Sequence, residues 1–111
     1  MKSMEEMLQA AQKAAETIQK QMGETQAKLD QLEVEGLSGG GLVKIRCSAK
    51  GRVIGVSIDD SLMQVSEKAI LEDLVAAAFN DARVKADSVA NEELAKAQQG
   101  MGLPPGFKLP F

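Results

Sequence analysis

Gly36–Ile58 reads GLSGGGLVKIRCSAKGRVIGVSI, and this stretch decides the fold. It opens on a glycine-rich loop and continues as two apolar/polar alternating runs around Lys50-Gly51. A short loop that ends in Gly is a strong hairpin signal, because such turns need a positive φ. With Lys50 and Gly51 as a two-residue loop, Ala49 faces Arg52, and the pairs Cys47–Ile54, Ile45–Val56 and Val43–Ile58 follow. Those pairs place every large aliphatic but Val53 and Leu42 on one face. The other face carries Lys44–Ser57, Arg46–Gly55 and Ser48–Val53. Turn chemistry and hydrophobic pattern agree, which is how a register is specified.

Upstream, Ser3 to about Leu29 reads as one long helix. Ser3-Met4-Glu5-Glu6 is a capping box, in which the serine oxygen takes an otherwise unpaired amide. Met4, Leu8, Ala11, Ala15, Ile18, Met22, Thr25, Leu29 and Leu32 alternate in steps of four and three, the spacing of a coiled-coil seam. Leu8, Ala11, Ala15, Ile18 and Met22 are the expected packing and dimer seam. Leu32-Glu33-Val34-Glu35 alternates as a first strand, and Gly39-Gly40-Gly41 connects it to the hairpin. No Lys-Ser/Thr follows those glycines, so they lack the mark of a phosphate-cradling P-loop.

Downstream, Ser61 and Gln64 form a second capping box, which explains Asp59-Asp60 as helix-start chemistry rather than a metal site. Ser66 is expected to cap a second long helix running to about Gln99, with Val65 and Ile70 as its hydrophobic staple. Its inner stripe is Ile70, Leu71, Leu74, Val75, Ala78, Ala82, Val89 and Leu94, with Phe79 at one edge. Gly100, Gly102 and Pro104-Pro105 end it. The tail PPGFKLPF is extended, and its two Phe are expected to dock on the core.

The order is α-β-β-β-α, an α+β fold with an antiparallel meander, in a single domain over 1–111. The N-terminal helix takes 1–30, the sheet 31–58, the helical region 61–99 and the Pro/Gly tail 100–111. A helix of about 27 residues is roughly 40 Å long, whereas a seven-residue strand spans about 23 Å. Both helices must therefore protrude beyond the sheet, and a second copy is the simplest cover for an overhanging seam. A homodimer is expected.

Composition narrows the function. The 111 residues contain three Phe but no Trp, Tyr or His, so catalytic triads, Cys-His dyads and most zinc sites are excluded. No cofactor and no metal is implied. The single Cys47 excludes an internal disulfide and suits a reducing compartment. Glu5 and Glu6 leave no apolar region for a signal peptide, and no apolar run is long enough to span a bilayer. A cytoplasmic protein without a membrane partner is expected.

LEDLVAAAFNDA (Leu71–Ala82), EGLSGGGLVKI (Glu35–Ile45) and the C-terminal GLPPGFKLPF together resemble the YbaB/EbfC family of bacterial nucleoid-associated proteins. The similarity covers essentially the whole chain in order; Asp60 departs from it, standing where a proline is expected. The resemblance implies a homodimer with a tweezer-like outline that binds double-stranded DNA in the nucleoid, with consequences for DNA conformation and gene expression. The alternative is a dimeric module that docks a protein of the replication or recombination machinery.

Net charge is −3 and the sequence pI about 5.0, the opposite of the usual footprint of a DNA binder. The distribution matters more. Between Gly36 and Ile58 there are Lys44, Arg46, Lys50 and Arg52 and no acid, while the flanking segments are both acidic. Lys13 and Lys20 share a helix face opposite the seam, and Arg83 and Lys85 form a further small cluster. These eight cations are the candidate DNA contacts. Glu33 and Glu35 are candidate cross-strand partners of Lys44 and Arg46.

Overall fold

The computed structural model describes residues 3–100, so the expected docking of Phe107 and Phe111 lies outside the described residues. Helix α1 spans Met4–Gln31, and Ser3 caps it by accepting the Glu6 amide at 3.2 Å. Strands β1 (Glu33–Ser38), β2 (Val43–Ser48) and β3 (Val53–Ile58) form an antiparallel sheet in the order β1-β2-β3. Helix α2 spans Lys68–Gly100. The α-β-β-β-α reading is therefore correct.

Several local expectations change. Strand β1 runs on through Gly36 to Ser38, beyond the alternating Leu32–Glu35. The β2–β3 register is as expected from Val43↔Ile58 to Arg46↔Gly55, but a bulge then shifts Cys47 onto Val53. The loop has three residues rather than two. The Gly51 amide donates to the Ser48 carbonyl at 2.8 Å, the Ser48 amide donates to the Arg52 carbonyl at 2.8 Å, and Gly51 has φ 92°. A three-residue loop with a left-handed Gly at its end is the other short hairpin solution. It brings Val53 to the inner face.

The start of α2 also differs. Asp59, not Ser61, caps the first turn by accepting the Ser61 amide at 2.9 Å; hydrogen bonding from the Ser61 side chain, and secondarily from that amide, lowers the Asp59 pKa. Ser66 lies inside a 3-10 turn, Val65–Glu67, that runs straight into α2. Val65 is 94% exposed and Ile70 faces solvent, so the expected staple does not form.

Ala78, Ala82 and Ala86 are fully buried and pack with Val43, Ile45, Cys47 and Leu62. They recur every four residues and so make one smooth helix face. Against that face lies Gly36: a Cβ built there would stand 2.2 Å from the Ala78 carbonyl oxygen and 2.4 Å from the Ala82 nitrogen. Helix and strand backbones touch here. Cys47 is buried beneath the same helix, and burial raises its thiol pKa, an effect the Arg83 charge partly offsets. It is a structural cysteine.

The two sheet edges are unlike. On β1, the Leu37 amide donates to Asp81 Oδ2 at 2.9 Å, and Lys85 Nζ donates to the Glu35 carbonyl at 2.8 Å. Asp81 and Lys85 also pair with each other at 3.0 Å. Two helix side chains thus close an edge that would otherwise invite strand addition. The bond from Leu37, and secondarily Lys85, holds the Asp81 carboxyl below its ordinary value of 3.8. A depressed carboxyl stabilises the fold above its unfolded pKa and loses that contribution as pH falls through the lowered native value. Asp81→Ala should therefore melt earlier than wild type at pH 7 and self-associate through β1. The gap should shrink as pH falls below 3.8 and close once it passes through the lowered native value, where folded Asp81 is itself protonated. Equal melting curves at pH 7 would show this clasp to be idle.

Helix α1 meets α2 only at its C-terminal end. Lys28 Nζ pairs with Glu93 Oε2 at 2.7 Å, which lowers the Glu93 pKa, and Gln21 and Thr25 share a groove with Ala97. The helices therefore run antiparallel. Met4 to Thr17 are exposed throughout, so Leu8 (59% exposed), Ala11 and Ala15 have no cover among the described residues, while Ile18 and Met22 are half-buried. The molecule measures 77 × 22 × 16 Å, with a radius of gyration of 20.9 Å against about 13 Å for a compact chain of this length.

Candidate nucleic-acid interface

The hairpin tip is held by the C-terminus of α1. The last carbonyls of a helix lack partners within it. Here the Ala49 amide donates to the carbonyls of Leu29 (3.1 Å) and Leu32 (2.9 Å), and both Leu29 and Ala49 are buried. This docking leaves Lys50 at an exposed apex and brings Arg52 to Asp30, with Nε 3.2 Å from Oδ1. Arg83 reaches the same corner from α2, with one guanidinium nitrogen 3.1 Å from where a Gly51 Cβ would stand. Arg83 also pairs with Asp87 at 3.4 Å.

Lys44 and Arg46 occupy the outer face of the sheet. Arg46 lies opposite Glu35 but pairs, at 3.8 Å, with Glu33 on the diagonal, and both side chains are about half exposed. Lys44 faces Leu37 across β1. Among the described ion pairs none involves Lys44 or Lys50. The pairs of Arg46, Arg52 and Arg83 are solvent-exposed, and such pairs contribute about 0–1 kcal/mol, little enough to be exchanged for a phosphate.

The other candidates separate. Lys13 and Lys20 are exposed on the projecting part of α1, with Glu16 between them in sequence. They stand roughly 14–24 Å along the helix from the Leu29 end that holds the hairpin. Arg83 and Lys85 do not form a cluster. Residues two apart on a helix do not share a face, so Arg83 reaches the hairpin tip while Lys85 is engaged at the β1 edge. Lys85 is a structural cation.

One surface escaped the sequence reading. Among the described residues, helix α2 packs mainly on β1 and β2 and leaves the inner face of β3 bare at Val53 and Val56. Val53 (41% exposed), Val56 (55%) and Phe79 (45%) form an apolar shelf beside buried Ile45 and Cys47. The signal was present in the four aliphatics of β3, but only the position of α2 shows that Val53 and Val56 are bare.

Fold and cation placement define a class: an α-β-β-β-α protein that carries its cations on a sheet hairpin rather than on a recognition helix. The chain belongs to the YbaB/EbfC DNA-binding family, whose model matches residues 1–101. It is 54% identical over 97 residues to a nucleoid-associated protein of Rhodopseudomonas palustris, covering 87% of this chain and 92% of that one. A nucleoid-associated protein of Rickettsia bellii is 50% identical over 99 residues, covering 89% and 92%. Among solved structures, an uncharacterised protein from Helicobacter pylori superposes with a TM-score of 0.66 at 23% identity, covering 78% of this chain and 89% of that one. That likeness shows a shared fold.

Proposed function

We propose that the protein is a nucleoid-associated protein that binds duplex DNA as a homodimer, mainly through the phosphate backbone and with weak sequence selectivity. The observation that carries this reading is the hairpin: Lys44, Arg46, Lys50 and Arg52 lie on an acid-free segment, free or in exchangeable pairs. No Trp or Tyr is available to stack on single-stranded bases. Phosphate contacts position a protein on DNA but carry no sequence information directly. The names of its relatives support a place in the bacterial nucleoid. Among the described residues no helix is long and apolar enough to cross a membrane.

A second copy is the favoured cover for the β3 shelf. The β1 edge is closed by Asp81 and Lys85, while β3 offers an open edge whose six residues, VIGVSI, bear no charge. An uncharged strand can pair with its own copy across a two-fold axis without like-charge repulsion. The chain exposes 7914 Å², whereas a compact monomer of this mass exposes about 5,900 Å². The excess surpasses the roughly 800 Å² per partner of a standard interface. The exposed half of the α1 seam adds further apolar surface to such a dimer.

A salt titration of duplex binding tests the reading. If the dimer neutralises about four to six phosphates, log K should fall against log salt with a slope of about −4 to −5. Lys44→Glu with Arg46→Glu should weaken binding to all duplexes alike and flatten the slope, with the fold intact. The same reversal at Lys13 and Lys20 tests α1 as the rival surface. Absence of binding even at low salt would replace this reading with that of a protein-docking module of the replication or recombination machinery.

A further inference from the structure

Register places Lys44 opposite Ser57 and Arg46 opposite Gly55, all four on the outer face of β2 and β3. Between them, with Glu35 at one side, lies a notch of about 160 Å³. Its shape depends on Gly55. A Cβ there would meet the Arg46 guanidinium at 2.8 Å, with Arg46 Cζ and Nε both at 3.6 Å. The guanidinium therefore lies flat across the strand in the space that a side chain at position 55 would fill. Gly55 is not among the glycines of positive φ, so the turn chemistry that explains Gly51 does not explain it. What the missing Cβ provides is room.

We propose that this notch seats one phosphodiester of the DNA backbone, an assignment that rests on the DNA-binding reading above, and that Gly55 keeps it open. Three residues that border the space carry donors: Lys44 an ammonium, Arg46 a guanidinium and Ser57 a hydroxyl. A planar guanidinium matches two phosphate oxygens at once, and an ammonium adds a compact charge beside it. Arg46 has only its half-exposed 3.8 Å partner Glu33 to give up, and Lys44 has no ion pair among the described residues. Glu35 is the opposing element. Its carboxylate borders the same notch and repels a phosphate, so it limits affinity and keeps the site readily emptied.

Two variants test the notch from opposite directions. Gly55→Val fills it without changing any charge, and the three atoms nearest its Cβ all belong to the flexible end of Arg46. A branched residue also suits a strand. Duplex binding by Gly55→Val should be roughly tenfold weaker, and its salt slope shallower by about one unit per notch lost. Glu35→Gln should tighten binding several-fold and should do so even if Gly55→Val proves poorly folded. If wild type binds duplex and both variants match it in affinity and slope, the notch holds no phosphate, although DNA binding itself stands. If wild type fails to bind at low salt, both readings fall together.

Discussion

Gly36→Ala should leave the protein largely unfolded or lower its melting temperature by more than 10 °C. A Cβ at position 36 would lie 2.2 Å from the Ala78 carbonyl oxygen and 2.4 Å from the Ala82 nitrogen. Both are backbone atoms of α2, so no rotamer change relieves the overlap; the helix must lift off the sheet. Overpacking typically costs about 1–3 kcal/mol, and a backbone clash belongs at or beyond the upper end. At about 4–8 °C per kcal/mol for a domain near this size, the shift exceeds 10 °C. Lifting α2 would also pull Asp81 and Lys85 off the β1 edge. A thermal melt followed by circular dichroism measures this. A melting temperature within a few degrees of wild type would mean that α2 does not rest on Gly36 as described.

Val56→Asp should convert the proposed dimer into a folded monomer. Val56 sits opposite buried Ile45 on the inner face, yet is 55% exposed in a single chain. An aspartate there is tolerated by the monomer, where water reaches it. In a two-fold interface the substitution buries two carboxylates without partners, at several kcal/mol each. The dimer dissociation constant should rise by about a thousandfold or more, since each 1.4 kcal/mol is tenfold. A monomer carries one hairpin instead of two, so its DNA salt slope should fall to about half that of wild type. Ile18→Asp, in the half-buried part of α1, reports on the rival seam. Light scattering that finds Val56→Asp fully dimeric, or wild type monomeric at micromolar concentration, removes β3 as the interface.

Much of the site was legible before any coordinates. The pairs from Val43↔Ile58 to Arg46↔Gly55 followed from the assumed Lys50-Gly51 turn and the alternation together. The bulge beyond them did not, because a Gly of positive φ serves both two- and three-residue loops. Only the docking of Ala49 on the end of α1 selects between them. Gly36 was read as loop because glycine weakens strands locally; its use is a close approach between elements 42 to 46 residues apart in the chain. The four-three spacing of Leu8 to Met22 puts these apolar residues along one side of α1, but spacing carries no information about what covers a face.

The sequence by itself determined the order of elements, most of the inner face of α2 and the concentration of cations between Gly36 and Ile58. Those properties are local: each depends on residues within a turn or a strand of one another. Tertiary structure decided which cations are available and which apolar surface is bare. Lys85 looks in sequence like Lys44, yet one closes a sheet edge and the other stands in an open notch. Val56 looks like a core residue, yet α2 crosses the sheet one strand short of it. Availability depends on distances that exist only once the chain has folded, because a hydrogen bond or a covered face is a property of two elements together.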